Sequence, residues 1–506
     1  INFMVTEDGL EDQLLALTVS KERADLEESK SELIAQMNAF KIKTKELEDG
    51  ILKQLAEAEG DILENIALIE NLEDSKRVAL EIADKVKVAE VTETEINAAR
   101  ELYRQVATRG SMMFFLLASL NRVHSFHHYS LNAFVTVFAR AVTGRRGKLV
   151  WNEEAVMSSM APDKLKRALK TEAAETKKGE LVGQPGLFEA RLAFLVESIT
   201  FHTFAFARRG LFERHKLILA TQLLLAVMRR DGELQPTEAE YLIVGRKALS
   251  PPHMTARVQE YLTHVQWAAA CALKDVDAFK NLPEDLELAT DAWKEWLDAE
   301  RPEDSPLPGD WAKRTTPFQK ILLLRALRSD RVTTAIAGFI EARLGATYMQ
   351  QEAFSIDDAY NDSSAAMPLF FVLFPGVDPG EALEGLGKRL GFTQARGNYV
   401  SISMGQGQEA HAENTLDRFT TDGGWVFLQN IHLMQTWLAT LERKLELAAE
   451  SGHDDFRAFL SAEPPPLPDM QTVPEGIMQQ AIKVANEPPT DLKATLRSSY
   501  ALFDQS

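Results

Sequence analysis

The chain carries 506 residues, 45% of them hydrophobic, with one cysteine, Cys271, and a formal charge of −19. Such a length supports several domains with cores of their own. The acidic balance disfavours nucleic acid and an electrostatic hold on membranes, which leaves a protein or a small ligand as the expected partner. One cysteine excludes an internal disulfide and fits a reducing compartment, and apolar runs such as 112–120 are too short to cross a bilayer.

The first methionine is Met4 and no leader pattern is visible, so the sequence reads as a piece of a longer polypeptide. Residues 20–104 contain no Pro, only Gly50 and Gly60, and much Glu, Lys, Ala and Leu, which predicts long helix. Leu26, Leu33, Phe40 and Leu47 recur every seven residues with Met37, Thr44 and Ile51 between them, an alternation of four and three that makes a coiled-coil seam. Ile62, Ile66, Ile69, Leu72, Ala79 and Val86 resume the pattern, with Asp61 as N-cap of a returning helix. The two arms, about 40 residues and about 60 Å each, would pair antiparallel across a turn between Gly50 and Gly60 and project from any globular body. A scaffold coiled coil, or a helical pair lying flat on a domain, is the plainer alternative.

Residues 105–245 read as a compact helical domain with aromatic clusters, ended by Gly245 and then Pro251 and Pro252. A second helical stretch, 246–345, holds Trp267, Trp293, Trp296 and Trp311. From 346 onward the runs LFFVLF, YVSISM, WVFLQN and FRAFLSA alternate with helical segments, which predicts a parallel sheet with helices on its faces. Pro-rich loops and a helical end follow.

The first of these strands runs into Pro375, Gly376, Val377, Asp378, Pro379, Gly380 and Glu381, where a phosphate-binding loop would begin. Such a loop spaces Gly-x-x-x-x-Gly-Lys-Ser/Thr so that backbone N–H groups and Lys hold phosphate while the hydroxyl holds Mg²⁺. Counted from Gly376, Glu381 stands at the second Gly, and Ala382 and Leu383 stand at the Lys and hydroxyl positions. Glu381 would repel a triphosphate, and Pro375 and Pro379 each remove an N–H. The strand WVFLQN ends in Gln429 and Asn430 where an active ATPase needs an acid to orient Mg²⁺ and another to polarise water. Two separate losses predict a strand and turn without hydrolysis; the plainer reading is an ordinary strand-to-helix turn.

Weaker signals resolve toward the ordinary. Gly405 and Gly407 form a lone Gly-x-Gly with no acidic residue at a dinucleotide spacing. His124, His127 and His128 could place two imidazoles on one helix face, but further zinc ligands are missing, so surface or partly buried histidines are expected. The PPPLP run at 464 reads as a loop after a strand, with a polyproline ligand as the alternative. No nucleophile and base set stands out, and no catalytic residue or metal ligand is assigned.

Taken in order, NFMVTEDGLEDQLLALTVSKERADLEESKSELI, INAARELYRQVATRGSMMFFLLASL, GLFERHKLIL, LPGDWAKRTTPFQKILLLRALRSDRV, PLFFVLFPGVDP, SISMGQGQ, GGWVFLQNIHL and NEPPTDL resemble the dynein heavy chain over essentially the whole sequence. The resemblance implies a mainly α chain with an α/β part: an antiparallel coiled-coil hairpin, a helical lid domain and a degenerate AAA+ α/β P-loop-type domain. By this likeness residues 1–19 would end the large part of the fifth AAA+ module, and 20–104 would be the buttress bracing the microtubule-binding stalk. Residues 105–245 would be the helical part of the fifth module, 246–345 the connection, and 346–506 the α/β part of the sixth. The family's fifth and sixth modules are structural, so the segment would be non-catalytic and hold no cofactor of its own, with ATP and Mg²⁺ in other modules of the parent motor. Expected partners are the stalk coiled coil, neighbouring modules, intermediate and light chains, and microtubules through the parent; nucleic acid and membrane are not expected. The FPGVDP form resembles axonemal chains, which implies cytoplasm and cytoskeleton, and the axoneme of a cilium or flagellum. The competing expectations are a free-standing coiled-coil or AAA+-like scaffold and a weak nucleotide-binding P-loop protein.

Overall fold

A computed structural model describes residues 6–56, 66–143, 185–350, 355–374, 378–485, 487 and 496. The chain divides into two units, one of residues 1–115 and 130–203, the other of residues 116–129 and 204–506. No described helix is long and apolar enough to cross a membrane.

The first unit opens with α1 (Glu7–Glu22), where the Thr6 hydroxyl accepts from the Gly9 N–H at 3.2 Å and Glu7 and Asp8 sit in the favourable first turn. The long helix expected from residue 20 is interrupted at Arg23. That residue leaves helical backbone at φ −141°, and its guanidinium grips Asp25 at 2.8 Å beside the start of α2 (Ala24–Ala56). The return helix is α3 (Ile66–Glu101). Gly50 lies within α2, so no turn begins there; Gly60, Asp61 and Ile62 lie outside the described residues.

α2 and α3 pack along one another. On α2 the half-buried positions include Leu26, Lys30, Leu33, Met37, Phe40, Thr44, Leu47 and Ile51, spaced by four and three residues. On α3 the covered positions Ser75, Ala79, Ile82, Val86, Ala89, Glu93, Ile96 and Arg100 keep the same alternation. Ile69 and Leu72 fall within α3. Along most of their length the described faces of these helices that lie away from the shared seam are wet, as with Ile42 at 61% and Val88 at 67% exposure. Near the start of α2 and the end of α3, Glu27 and Arg100 approach to 3.3 Å without a hydrogen-bond angle.

The rest of the first unit packs α4 (Arg104–Ser119) and α5 (Leu131–Thr143) against α1, with α6 (Pro185–Arg209) contributing up to residue 203. Gly110 permits the close approach: a Cβ there would lie 2.4 Å from the Phe138 ring and 2.9 Å from Leu14. Arg191 and Glu22 form a two-pronged pair at 2.7 and 3.0 Å, both nearly buried.

In the second unit, α7 (Glu213–Arg230) and α8 (Pro236–Val244) precede a Trp-rich group of α9 (His264–Ala272), α10 (Leu282–Leu288) and α11 (Thr290–Asp298). It is completed by α12 (Pro317–Leu327) and α13 (Val332–Leu344). The expected boundary at Gly245 is a left-handed cap, φ 64°, ending α8. Cys271 is buried in α9, where desolvation pushes its thiol up to about 11. One carboxylate organises the tryptophans: Asp285 Oδ2 accepts from Trp293 Nε1 at 3.1 Å and Trp311 Nε1 at 2.5 Å, and both indoles are buried.

The remaining chain builds a five-stranded, wholly parallel sheet in the order β2-β3-β4-β1-β5. The strands are β1 (Leu369–Val372), β2 (Tyr399–Ser403), β3 (Trp425–Gln429), β4 (Arg457–Ala462) and β5 (Ile482–Ala485). The crossovers carry α14 (Pro379–Leu390), α15 (Glu409–Asp422), α16 (Leu438–Ser451) and α17 (Glu475–Gln480). Alternate residues serve opposite layers. Phe370, Val426, Leu428 and Leu460 meet Leu416 of α15, Leu441 of α16 and Ile477 of α17. From the other face Trp425 stacks on Phe392 at 4.6 Å and meets Phe459 at 5.1 Å. Four strands lie where the runs predicted them. β5 corrects the expectation that the sheet stops at β4, because Lys483 breaks its apolar run.

Replacing Asp285 with Ala strands two buried indole N–H groups and should lower stability by roughly 2–4 kcal/mol in urea unfolding followed by Trp fluorescence, whereas Asp285→Asn, which keeps one acceptor oxygen, should lose less than half of that.

Candidate functional site

A parallel sheet covered on both faces presents chemistry at the carboxyl ends of its strands, so the candidate site is the edge where β1, β3 and β4 finish. After β1, Leu373 donates its N–H to Ala462 O at 2.9 Å, holding the two strand ends together. Pro375, Gly376 and Val377, the centre of the expected loop, lie outside the described residues. Asp378 is the N-cap of α14, its Oδ1 accepting from the Gly380 N–H at 2.8 Å, and Pro379 takes the first helical position. The Asp378 carboxylate thus occupies donors at the helix start, where a bound anion would otherwise sit. Glu381 is exposed in the first turn of α14.

At the end of β3 the Gln429 side-chain amide donates to Ser401 Oγ at 3.2 Å and the Gln429 backbone carbonyl accepts from the Met404 N–H at 2.9 Å, which ties β3 to the end of β2. Asn430 is in left-handed backbone, φ 57° and ψ 42°, the one non-glycine residue with positive φ among the described residues. Its N–H donates to Ser461 Oγ of β4 at 3.3 Å. Asn tolerates this region better than most side chains, so both amides are explained by backbone and neighbour geometry. At the end of β4, the Glu463 N–H donates to His432 Nδ1 at 3.3 Å, and burial lowers the basicity of that imidazole.

Charge follows the same pattern. The segments after β1, β2, β3 and β4, residues 373–381, 404–409, 430–435 and 463–470, contain no Lys or Arg and include Asp378, Glu381, Glu409, Glu463 and Asp469. A triphosphate approaching this edge meets anions and neutral amides. Among the described residues, no group of three His, Cys, Asp or Glu is placed to hold a metal ion.

The histidine motif is corrected by the structure. Residues 124–129 form an irregular strap and not a helix face, and His124 and His127 are buried, at 2% and 0% exposure, against His215 and Phe212. Sequence reasoning missed this cluster and the buried Lys483, whose ammonium donates to the His128 and Met478 carbonyls. The aromatic residues interleaved with His124, His127 and His128 were the available signal.

Five parallel strands in this order, with the capped helix α14 following the interior strand β1, define a P-loop-type α/β module. Residues 364–485 match the family described as dynein heavy chain region D6 P-loop domain, and residues 1–82 match the ATP-binding dynein motor region. The chain belongs to the dynein heavy chains, in their motor region. It is 44% identical to the dynein alpha chain of the flagellar outer arm of Chlamydomonas reinhardtii, over 99% of this chain and 12% of that relative. To the flagellar outer arm beta chain of the same organism it is 43% identical over 100% of this chain and 10% of the relative. The human dynein axonemal heavy chain 9 is 41% identical over the same shares, 100% and 10%. The chain spans about a tenth of the length of the curated relatives it matches.

If Asn430 serves backbone geometry, Asn430→Gly should leave the unfolding midpoint of the second unit nearly unchanged, while Asn430→Val should destabilise it by about 1–2 kcal/mol in the same denaturation series.

Proposed function

We propose that this segment is a non-catalytic part of a dynein motor ring that relays ATP-driven movements of other modules to the microtubule-binding stalk, serving minus-end-directed motility in a cilium or flagellum. The observation that carries the reading is that the segments after β1 to β4 contain no Lys or Arg and that Gln429 and Asn430 stand where an active site needs its two acids. Neutral amides neither balance Mg²⁺ nor take a proton from water. ATP and Mg²⁺ act in other modules of the parent motor. The axonemal and flagellar names of the relatives support the setting.

In this proposal α2 and α3 are the arms of an antiparallel coiled-coil hairpin, the buttress, with Leu26, Leu33, Met37, Phe40, Leu47 and Ile51 on its seam and the sequence spacing assigning Ile62, Ile69 and Leu72 to it. The alternation of covered positions on both helices supports it. A stiff pair joined to a ring module converts a shift of that module into a shift at the stalk, which is the two-ended bias that such coupling requires. Neighbouring modules and the stalk of the same heavy chain are its direct partners; intermediate and light chains and microtubules are reached through the parent.

Two measurements test the reading. Titration of the whole chain with Mg·ATP by calorimetry should give no heat of tight binding and no phosphate release; tight binding that disappears on altering Gly380 would instead establish a nucleotide-binding P-loop protein. In a full-length motor, Leu33→Pro with Phe40→Pro should uncouple microtubule release from ATP while ATP turnover persists, and a release that still responds normally to ATP would remove the buttress role.

A further inference from the structure

Residues 123–130 run without helix between the short turn Leu120–Arg122 and α5. Through residue 129 this strap belongs to the second unit. It is fastened along its length: the Ser125 N–H and hydroxyl donate to Pro468 O and Met470 O, each at 2.8 Å. The Tyr129 hydroxyl donates to Ala207 O at 3.0 Å. From β5, the Lys483 ammonium donates to the His128 carbonyl and lies 4.1 Å from the centre of the Tyr129 ring.

The middle of the strap is held by imidazoles. His127 Nε2 and His215 Nδ1 of α7 stand 2.8 Å apart, a bond that exists only while one of the two nitrogens is unprotonated. His124 Nδ1 accepts from the Phe126 N–H at 3.0 Å, so that nitrogen also carries no proton. The rings of His124 and His127 lie 5.3 Å apart and both abut Phe212. His127 Nδ1 is buried without a hydrogen-bond partner among the described residues. The charged groups facing the cluster are cations: Arg214 on α7, Lys483 on β5 and, beside Tyr129, Arg209. Of the nearby carboxylates, Glu475 of α17 faces His128 of the strap itself at 3.2 Å, outside the His124–His127–His215 cluster, and Asp362 pairs with Arg209 at 2.8 Å.

We propose that the 123–130 strap is a proton-sensitive latch, in which protonation of His124, His127 and His215 breaks the His127–His215 bond, sets like charges side by side and releases the strap from α7 and β5. Burial, reinforced by neighbouring cations, lowers His124 from its ordinary 6.5 to about 4 and His127 to about 2, and lowers His215 as well. The opened strap takes up protons that the closed one refuses. Latch stability is therefore full above the ordinary imidazole value and is lost as pH falls below it toward the folded values. Burial also pushes Lys483 down to about 7, so the ammonium that holds the His128 carbonyl gains population as acidification begins and opposes release, and the loss is carried by the imidazoles.

The test is hydrogen exchange of the whole chain at about pH 7.5 and about pH 5.5, expressed as protection relative to the intrinsic rate. Amides of the strap and of β5 should lose protection by roughly tenfold each for His124 and His127 exposed on opening, with a further loss from His215, while those of α12 and α13 keep theirs. Unchanged protection, or a loss shared equally with α12 and α13, would overturn the latch without any variant. His127→Gln, and His127→Gln with His215→Asn, keep a polar link that does not titrate; the first should remove roughly a factor of ten from the acid-induced loss, and the second should remove more. The same loss in a folded double variant would equally overturn it.

Discussion

A parallel sheet sealed on both faces has one place left for chemistry, the carboxyl ends of its strands, and what the sheet offers a ligand is decided there. Phe370, Trp425, Phe427, Phe459 and Leu460 are almost completely withdrawn from solvent. The strand ends hold to one another through the Leu373 to Ala462 bond, the Gln429 amide on Ser401 and the Asn430 N–H on Ser461. Where an active ATPase would place acids for Mg²⁺ and water, the Gln429 side chain and the Asn430 backbone fasten the edge instead. The same positions that mark a P-loop-type module therefore stabilise its rim.

That rim bears on how the chain stands within the dynein heavy-chain motor region. A module whose sheet edge is cross-linked by short polar side chains is well suited to move as a block, because relative motion of its strand ends would break several bonds at once. The first unit has a comparable economy of motion around Gly110, where three helices approach too closely to admit a methyl group, and around the Arg191–Glu22 pair.

Much of this was legible in the sequence, for physical reasons that differ from place to place. The spacing of Leu26, Leu33, Met37, Phe40, Leu47 and Ile51 is local and periodic, and the covered positions of α2 follow it residue by residue. β1 to β4 were readable because each is a dense apolar run between turn residues. The break at Arg23 was not, since it depends on a guanidinium folding onto Asp25 instead of on a Gly or Pro. β5 was hidden by Lys483, whose burial relies on carbonyls and an aromatic ring supplied by segments far away in sequence. The histidine strap was misread for the same reason: irregular backbone carries no periodicity, and only tertiary contacts put His124 and His127 in a core.

Cys271 brings a practical consequence. Its thiol is enclosed by α9 and its neighbours, and the anion that reacts with electrophiles is suppressed by that enclosure. With no second cysteine in the chain, alkylation reports how often the Trp-rich helices part, and the native sequence provides a silent background for a probe attached at any introduced surface cysteine.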